Sequence, residues 1–237
     1  MIVLGIETAT ERLSTALLVE NKKNYELHKD SHLSHCELLT GFILELIEEA
    51  NISMNSIDCI AVSTGPGSFT GLRIGIATTM GLAYGLGIPA CGINTLMGMA
   101  FNTEAPGTLI CPIIDAKRSE VYIALYRRSN DIPQTIIEPL VLPVSELVDM
   151  LRERDETVTI TGPATEKFKN MLQESLGTSV SFAPPDLAKP SAGSIAELGL
   201  KIFRSGGGEN PESLKPVYLR RSDAEIARDY RSGNNFS

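Results

Sequence analysis

The chain carries the same local pattern twice. An apolar run at residues 2–6 ends in Glu7 and returns, after a polar turn, as a second apolar run; farther along, the apolar run at 109–114 ends in Asp115 and also returns. Two apolar runs joined by a short polar turn are typical of a β-hairpin. Because further strand-like and helix-like segments follow each copy, the repeat predicts two tandem α/β lobes.

The segments around the hairpins place the boundaries of these lobes. Apolar periodicity and turn residues predict further strands at 25–29, 59–63, 90–93, 157–161 and 179–183. They also predict helices at 34–50, 71–86, 145–154, from 164 onward and at 191–204. We therefore predict an N-terminal lobe at 1–104, a C-terminal lobe at 105–208 and a charged C-terminal tail at 209–237, with each lobe a mixed β-sheet flanked by helices.

Composition removes several classes of function. The chain has 21 Lys and Arg against 29 Asp and Glu, a net charge of −8, which excludes a broadly basic face for nucleic acid and leaves only local RNA contacts. The four cysteines form no C-x-x-C pair, which indicates reduced thiols. No leader-like segment and no membrane-length apolar run is visible, so we expect a cytoplasmic protein that does not bind membranes.

Glu7, Thr8 and Asp115 are the candidate cofactor-binding residues, at two nucleotide-type hairpins. A strand that ends in a carboxylate beside a tight turn can hold a metal or water while the turn amides approach a phosphate. However, Ala9 and the turn at 116–119 offer no glycine for such a close approach. Ordinary hairpin turns and vestigial nucleotide sites both fit, so weak ATP or ADP binding at a lobe or subunit interface stays open.

A Gly/Pro-rich segment at 64–71 joins a predicted strand to a predicted helix. The unpaired amides of a helix start can bind an anion. The segment matches neither the phosphate-binding P-loop, because no Lys follows, nor the dinucleotide fingerprint, because its glycines are spaced one residue too far apart. A turn in which Ser68 or Thr70 caps the helix explains the segment equally well.

Two helices of the first lobe are more apolar than a single core requires. The helix at 71–86 carries small residues along its length, Gly71, Gly75, Ala77, Gly81 and Gly85, with Arg73 as its one charge. Each helical Gly costs about 0.5–1 kcal/mol relative to Ala. The helix at 34–50 has an apolar arc, widened by Leu44, well beyond the ~100° of a core stripe. We predict a dimer interface, with a deep intramolecular core as the alternative. The predicted interface residues are Leu38, Leu39, Phe42, Leu46, Gly71, Leu72, Arg73, Gly75 and Ile76.

The histidines do not predict a metal or catalytic site. All three lie between His28 and His35, near Cys36 but without a matching acid cluster. Because all three fall within eight residues, they also give no Ser/His/Asp or Cys/His pattern. We therefore predict no bound metal and no catalytic residue.

Four segments together resemble the bacterial TsaB (YeaZ-type) family over nearly the whole chain. They are Ile-Glu-Thr-Ala-Thr at 6–10, the Gly-rich string at 65–75, Asp-Ala-Lys-Arg-Ser-Glu-Val-Tyr at 115–122 and Pro-Val-Tyr-Leu-Arg at 216–220. The resemblance implies a two-lobe actin-like ATPase (ASKH, ribonuclease H-like) fold. It also implies a dimerization subunit of the complex that makes N6-threonylcarbamoyladenosine (t6A) on the tRNA adenosine beside the anticodon.

The same resemblance implies partners. The subunit would pair through first-lobe helices with a catalytic paralogue, TsaD, which a small ATPase, TsaE, joins; alone it would form a homodimer, and it would meet tRNA only within the complex. TsaD carries Asn-His-x-x-x-His for a metal, whereas Thr95 and Met99 stand at the two histidine positions here. This implies a subunit that is not an enzyme by itself. The alternatives are an autonomous ATP-dependent kinase or hydrolase using Glu7, Thr8 and Asp115, and a metallopeptidase.

Overall fold

Two five-stranded mixed sheets form the framework. The structure, a computed structural model, describes residues 1–20, 24–30, 35–103, 109–128 and 131–220. The first sheet contains β1 (Ile2–Glu7), β2 (Arg12–Val19), β3 (Tyr25–Asp30), β4 (Cys59–Gly65) and β5 (Ala90–Asn94). The second contains β6 (Leu109–Lys117), β7 (Glu120–Arg127), β8 (Gln134–Pro143), β9 (Val158–Thr161) and β10 (Val180–Phe182). The helices are α1 (His35–Glu49), α2 (Phe69–Leu86), α3 (Thr95–Asn102), α4 (Val144–Arg152), α5 (Thr165–Leu176) and α6 (Ala192–Arg204).

The two sheets share one topology. The first has the order β3-β2-β1-β4-β5 and the second, read from its other end, β8-β7-β6-β9-β10. In each sheet, three antiparallel strands form a meander. The first strand of that meander, β1 or β6, also pairs in parallel with β4 or β9, one of the two strands that complete the sheet. This confirms the internal repeat and the predicted fold class of two α/β lobes with mixed sheets.

Helices cover both faces of each sheet. In the first sheet Leu4 and Ile6 face α1 and α2, whereas Val3 and Ala61 face α6. In the second sheet α4 and α5 cover the outer face, and α3 packs on the inner face. Because α3 also contacts α6, these two helices form a shared layer between the sheets.

The last helix returns to the first sheet. A Cβ atom on Gly199 of α6 would overlap Ala61 of β4, and one on Gly5 of β1 would overlap the backbone of Ala192. Helix and sheet therefore approach more closely than side chains larger than hydrogen would allow. The predicted boundaries at 104/105 and 208/209 stay predictions, and α6 joins the two parts of the chain.

Two elements escaped the sequence analysis. β8 contains Pro139, which a central strand would not tolerate, but β8 lies at the edge of its sheet where a missing N–H is harmless. α3 is short, and its start depends on Asn94, whose side chain accepts hydrogen bonds from the amides of Leu96 and Met97. Ser34, the expected cap of α1, lies outside the described residues, as do 221–237. No helix within the described ranges has the length and apolar character to cross a membrane.

The part of the C-terminal segment that the structure describes, residues 209–220, is a strap along the first lobe. Glu209 pairs with Ala90 at the free edge of β5, and Leu214 is buried in the α1–α2 core. The amide of Val217 donates to the Thr64 carbonyl at 2.7 Å. The strap ends at Arg220, which reaches the second lobe.

Candidate functional site

A cleft of about 910 Å³ opens between the two hairpins. The first-hairpin turn and the loop after β4 form one wall, and the second hairpin with the start of α5 forms the other. Arg220 crosses it, donating to the Ala116 carbonyl at 2.5 Å and lying 3.5 Å from a carboxylate oxygen of Glu120. The charged residues that line the cleft are Glu11, Arg12, Asp30, Asp115, Lys117, Lys167, Lys189 and Arg220.

Glu7 lies beneath the cleft and does not line it. Its side chain is buried, and Oε1 accepts a hydrogen bond of 2.6 Å from the Ala9 amide. Burial raises the pKa of the Glu7 carboxyl to about 7, although the hydrogen bonds from Ala9 and Ser63 favour its charged form. A carboxyl closed off in this way is a structural hydrogen-bond partner of the turn.

Thr8 is also enclosed. Its hydroxyl donates to the Gly71 carbonyl at 2.9 Å. A Cβ atom on Gly71 or Gly75 would fall within 3.0 Å of Thr8, a distance that real Cβ atoms essentially never reach. The glycines at the start of α2 therefore seat that helix on the first-hairpin turn of the same chain.

The Gly/Pro-rich loop is used internally as well. Ser68 is the N-cap of α2, its Oγ accepting from the Gly71 amide at 3.2 Å. Its own amide donates to the Ala9 carbonyl at 2.7 Å. This confirms the capping interpretation of the segment.

Of the three candidate cofactor-binding residues, Asp115 alone lines the cleft. It accepts from the Lys117 amide at 2.9 Å and from Lys167 Nζ at 2.8 Å. Partial burial opposes its ionisation, but these bonds and the nearby charges hold the pKa of Asp115 below its usual value. The structure thus separates Asp115 from Glu7 and Thr8.

The fold implies a magnesium nucleotide in such a cleft, and the residues present do not fit one. Glu7 is closed off and Asp115 is paired with Lys167, so neither offers a free carboxylate for a metal or its waters. Among the described residues, no group of three or more His, Cys, Asp or Glu side chains could hold a metal ion.

Thr95 and Met99, which the resemblance expects at the paralogue's histidine positions, both belong to α3. Thr95 and Met99 are both buried, and the Thr95 hydroxyl has no hydrogen-bond partner. His35 has Nε2 2.8 Å from the Thr10 carbonyl oxygen, His28 is exposed on β3, and His32 lies outside the described residues. The described histidines therefore do not come together in a site.

The predicted interface residues divide into two groups. Six of the nine pack inward and belong to the core of the first lobe: Leu39, Leu46, Gly71, Leu72, Gly75 and Ile76. Leu38 and Phe42 are half-buried, and Arg73 is exposed. These six residues fit the alternative of a deep intramolecular core. Their side chains, or the Cα atoms of the glycines, contact β-strands and the first-hairpin turn of the same chain. The interface itself stays a prediction.

A different stripe faces outward on these helices. Leu44 is 56% exposed on α1 and Tyr84 73% exposed on α2. Gly41, Gly81 and Gly85 have open space where a Cβ would be. We call the outer face the exposed set Gly41, Leu44, Arg73, Ala77, Gly81, Tyr84 and Gly85. Its signal in the sequence is the spacing of three or four residues that runs from Arg73 to Tyr84.

Comparison with known proteins identifies the family of this chain. Residues 28–228 match the family model "TsaD: tRNA N6-adenosine threonylcarbamoyltransferase". The tRNA threonylcarbamoyladenosine biosynthesis protein TsaB of Bacillus subtilis (strain 168) is 29% identical, over 95% of this chain and 96% of that protein. TsaB of Escherichia coli (strain K12) is also 29% identical, over 94% and 96%. The solved structure of YeaZ from Pseudomonas aeruginosa has a TM-score of 0.76 at 26% identity, covering 92% of this chain and 99% of that one.

Sequence and structure agree on the same assignment. The repeated sheets, the paired hairpins and the Gly-rich loop seated on the first turn extend over the region that these relatives share. The chain belongs to the TsaB (YeaZ-type) family and has the two-lobe, actin-like ATPase-type fold.

Proposed function

We propose that this chain is the non-catalytic dimerization subunit of the machinery that makes t6A on tRNA. In this proposal its outer face binds the catalytic paralogue TsaD and holds it in an active arrangement. TsaE joins the pair, tRNA is met only within the assembled complex, and a second copy takes the paralogue's place when the subunit is alone. The names of the TsaB relatives support the pathway, and the outer face supports the role.

The outer face is the observation that carries this proposal. Leu44 and Tyr84 are two of the most exposed large apolar side chains among the described residues. They stand on adjacent helices, and one turn before each of them Gly41 and Gly81 leave the backbone accessible. A partner helix could approach closely there and bury both side chains, which is how anchors contribute to an interface.

The condition of the cleft supports a role without catalysis. The acid of the first hairpin is buried, the acid of the second is neutralised by Lys167, and Thr95 and Met99 replace the paralogue's imidazoles inside α3. What remains intact is the framework that supports α1 and α2. The chemistry would then reside in the paralogue.

Charged substitutions on the outer face test the proposal. Leu44→Asp and Tyr84→Glu place a charge where the partner would exclude water, so each is expected to weaken TsaD binding at least a hundredfold, or about 3 kcal/mol. Met171→Asp, at the 39% exposed Met171 on α5, is the matched control in the other lobe. Calorimetric titration with TsaD and a reconstituted tRNA modification assay give the two readouts. Wild-type binding by both outer-face variants would refute the proposal.

The size of the cleft favours a second candidate function, an autonomous ATP-dependent kinase or hydrolase, which would have to bind its nucleotide without a free carboxylate from Glu7 or Asp115 for magnesium. A cavity of about 910 Å³ is large enough for a nucleotide, and Lys117 and Lys167 line it beside Asp115. This candidate requires ATP turnover by the isolated chain that falls in Asp115→Asn. Background turnover by both proteins would exclude it.

A further inference from the structure

The strap extends the outer face beyond the two helices. The Tyr218 ring stacks on Phe69 at the start of α2, with ring centroids 4.4 Å apart and an interplanar angle of 19°. Val217 and Tyr218 are each 39% exposed. The motif at 216–220 therefore contributes apolar surface next to Arg73.

Tyr218 also fixes the Arg73 side chain. Arg73 Nε donates to Tyr218 Oη at 3.0 Å, and the guanidinium carbon lies 5.8 Å from the ring centroid. Nε is thereby occupied, and among the described residues no acceptor is bonded to the two terminal nitrogens. These nitrogens form the fork that binds a carboxylate with two parallel hydrogen bonds. An arginine held in place in advance loses less conformational entropy when it binds.

The charges of the two helices are complementary. Arg73 is the only charged residue of α2, whereas α1 carries four glutamates and no Lys or Arg. Two of these glutamates, Glu37 and Glu48, flank Gly41 and Leu44 at helical spacing on the exposed side of α1. In a two-fold dimer the same surface serves both partners, so α2 of one copy can meet α1 of the other.

We propose that Tyr218 is a positioning residue that holds Arg73 to receive a carboxylate of α1, Glu37 or Glu48, from a second copy of this chain. The strap is then part of the self-association surface. This inference deepens the proposed function, since it concerns the same outer face, and it adds the strap and a specific charged contact to that face.

Sedimentation equilibrium of the full chain tests the inference. An exposed ion pair is modest in strength, but a two-fold dimer contains it twice, so Arg73→Gln is expected to raise the dimer Kd about tenfold. Tyr218→Phe keeps the ring and removes the hydroxyl, and about a threefold increase is expected. Added salt should weaken the wild-type dimer and have much less effect on Arg73→Gln. Arg152→Gln, an exposed arginine on α4, is the matched control.

Double variants identify the acceptor. Arg73→Gln combined with Glu37→Gln or Glu48→Gln should be non-additive for the glutamate that pairs with it. The inference would be overturned if Arg73→Gln were additive with both glutamate substitutions. It would also be overturned if either Arg73→Gln or Tyr218→Phe left the dimer Kd at the wild-type value. A chain that stays monomeric at all concentrations would overturn it too. If Leu44→Asp weakens TsaD binding while these outcomes occur, the proposed binding of TsaD by the outer face stands and the strap inference fails.

Discussion

The packing of α2 on the first hairpin gives a sharp test in Gly71→Ala. A Cβ at this position would overlap the carbonyl oxygen of Thr8, which belongs to the backbone and cannot rotate away. Helix and turn must therefore separate. That movement also strains the buried hydrogen bond from the Thr8 hydroxyl to the Gly71 carbonyl.

The expected change in the free energy of unfolding is the sum of three contributions. Alanine gains about 1 kcal/mol over glycine in a helix interior. Overpacking costs about 1–3 kcal/mol, and a buried hydroxyl left without its partner costs about 1–3 kcal/mol more. We expect Gly71→Ala to lower the free energy of unfolding by about 1–5 kcal/mol, the sum of these three contributions.

Gly81→Ala in the same helix is the matched control, because nothing lies within 4 Å of its Cβ position. It should stabilise the protein by up to about 1 kcal/mol through helix propensity alone. Urea unfolding measures both variants, with unchanged m-values as the sign that the comparison is valid. If Gly71→Ala proved as stable as Gly81→Ala, the seating of α2 on Thr8 would be refuted.

Three further predictions concern the core, the strap and the crossing of the cleft. Burial raises the pKa of Glu7 from 4.5 to about 7, so the folded state binds more protons than the unfolded state in that window; wild-type stability should fall as pH rises through it, by up to about 3 kcal/mol. Glu7→Gln should flatten this decline in urea titrations at several pH values, and parallel profiles would contradict the assignment. Leu214→Ala should cost about 2–5 kcal/mol by chemical unfolding because Leu214 is buried in the first-lobe core, and a change below about 1 kcal/mol would show that the strap is not packed there. Arg220→Ala should cost about 1.5–3 kcal/mol by removing a charged donor from the Ala116 carbonyl, and hydrogen exchange should show faster opening of the second hairpin; unchanged exchange would contradict this contact.

Much of the fold could be predicted from the sequence. The two hairpins, α2, α6 and the buried strands β4 and β9 carry strong local signals, because apolar periodicity and turn residues depend on neighbours along the chain. β8 was missed because Pro139 argues against a strand unless its place at the sheet edge is known. α3 was missed because its capping residue also ends β5.

The candidate site was less predictable. The sequence marks Glu7 and Asp115 as equivalent acids in a repeat, yet one is buried and the other is paired with Lys167 of α5, on the same wall of the cleft. That difference depends on how deeply each turn is covered. Burial and a cation from a distant element leave no mark in the local sequence.

The glycines of α2 show where the division lies. Their number within one helix indicated that another segment packs closely against it. Each glycine destabilises the helix, and close packing is the gain that offsets this cost. The tertiary structure alone decided that Gly71 and Gly75 receive the Thr8 turn, while Gly81 and Gly85 face open space. Helix geometry alone decides which residues of a sequence share one face of a helix. Which segment packs on that face depends on contacts between parts of the chain that are far apart in sequence.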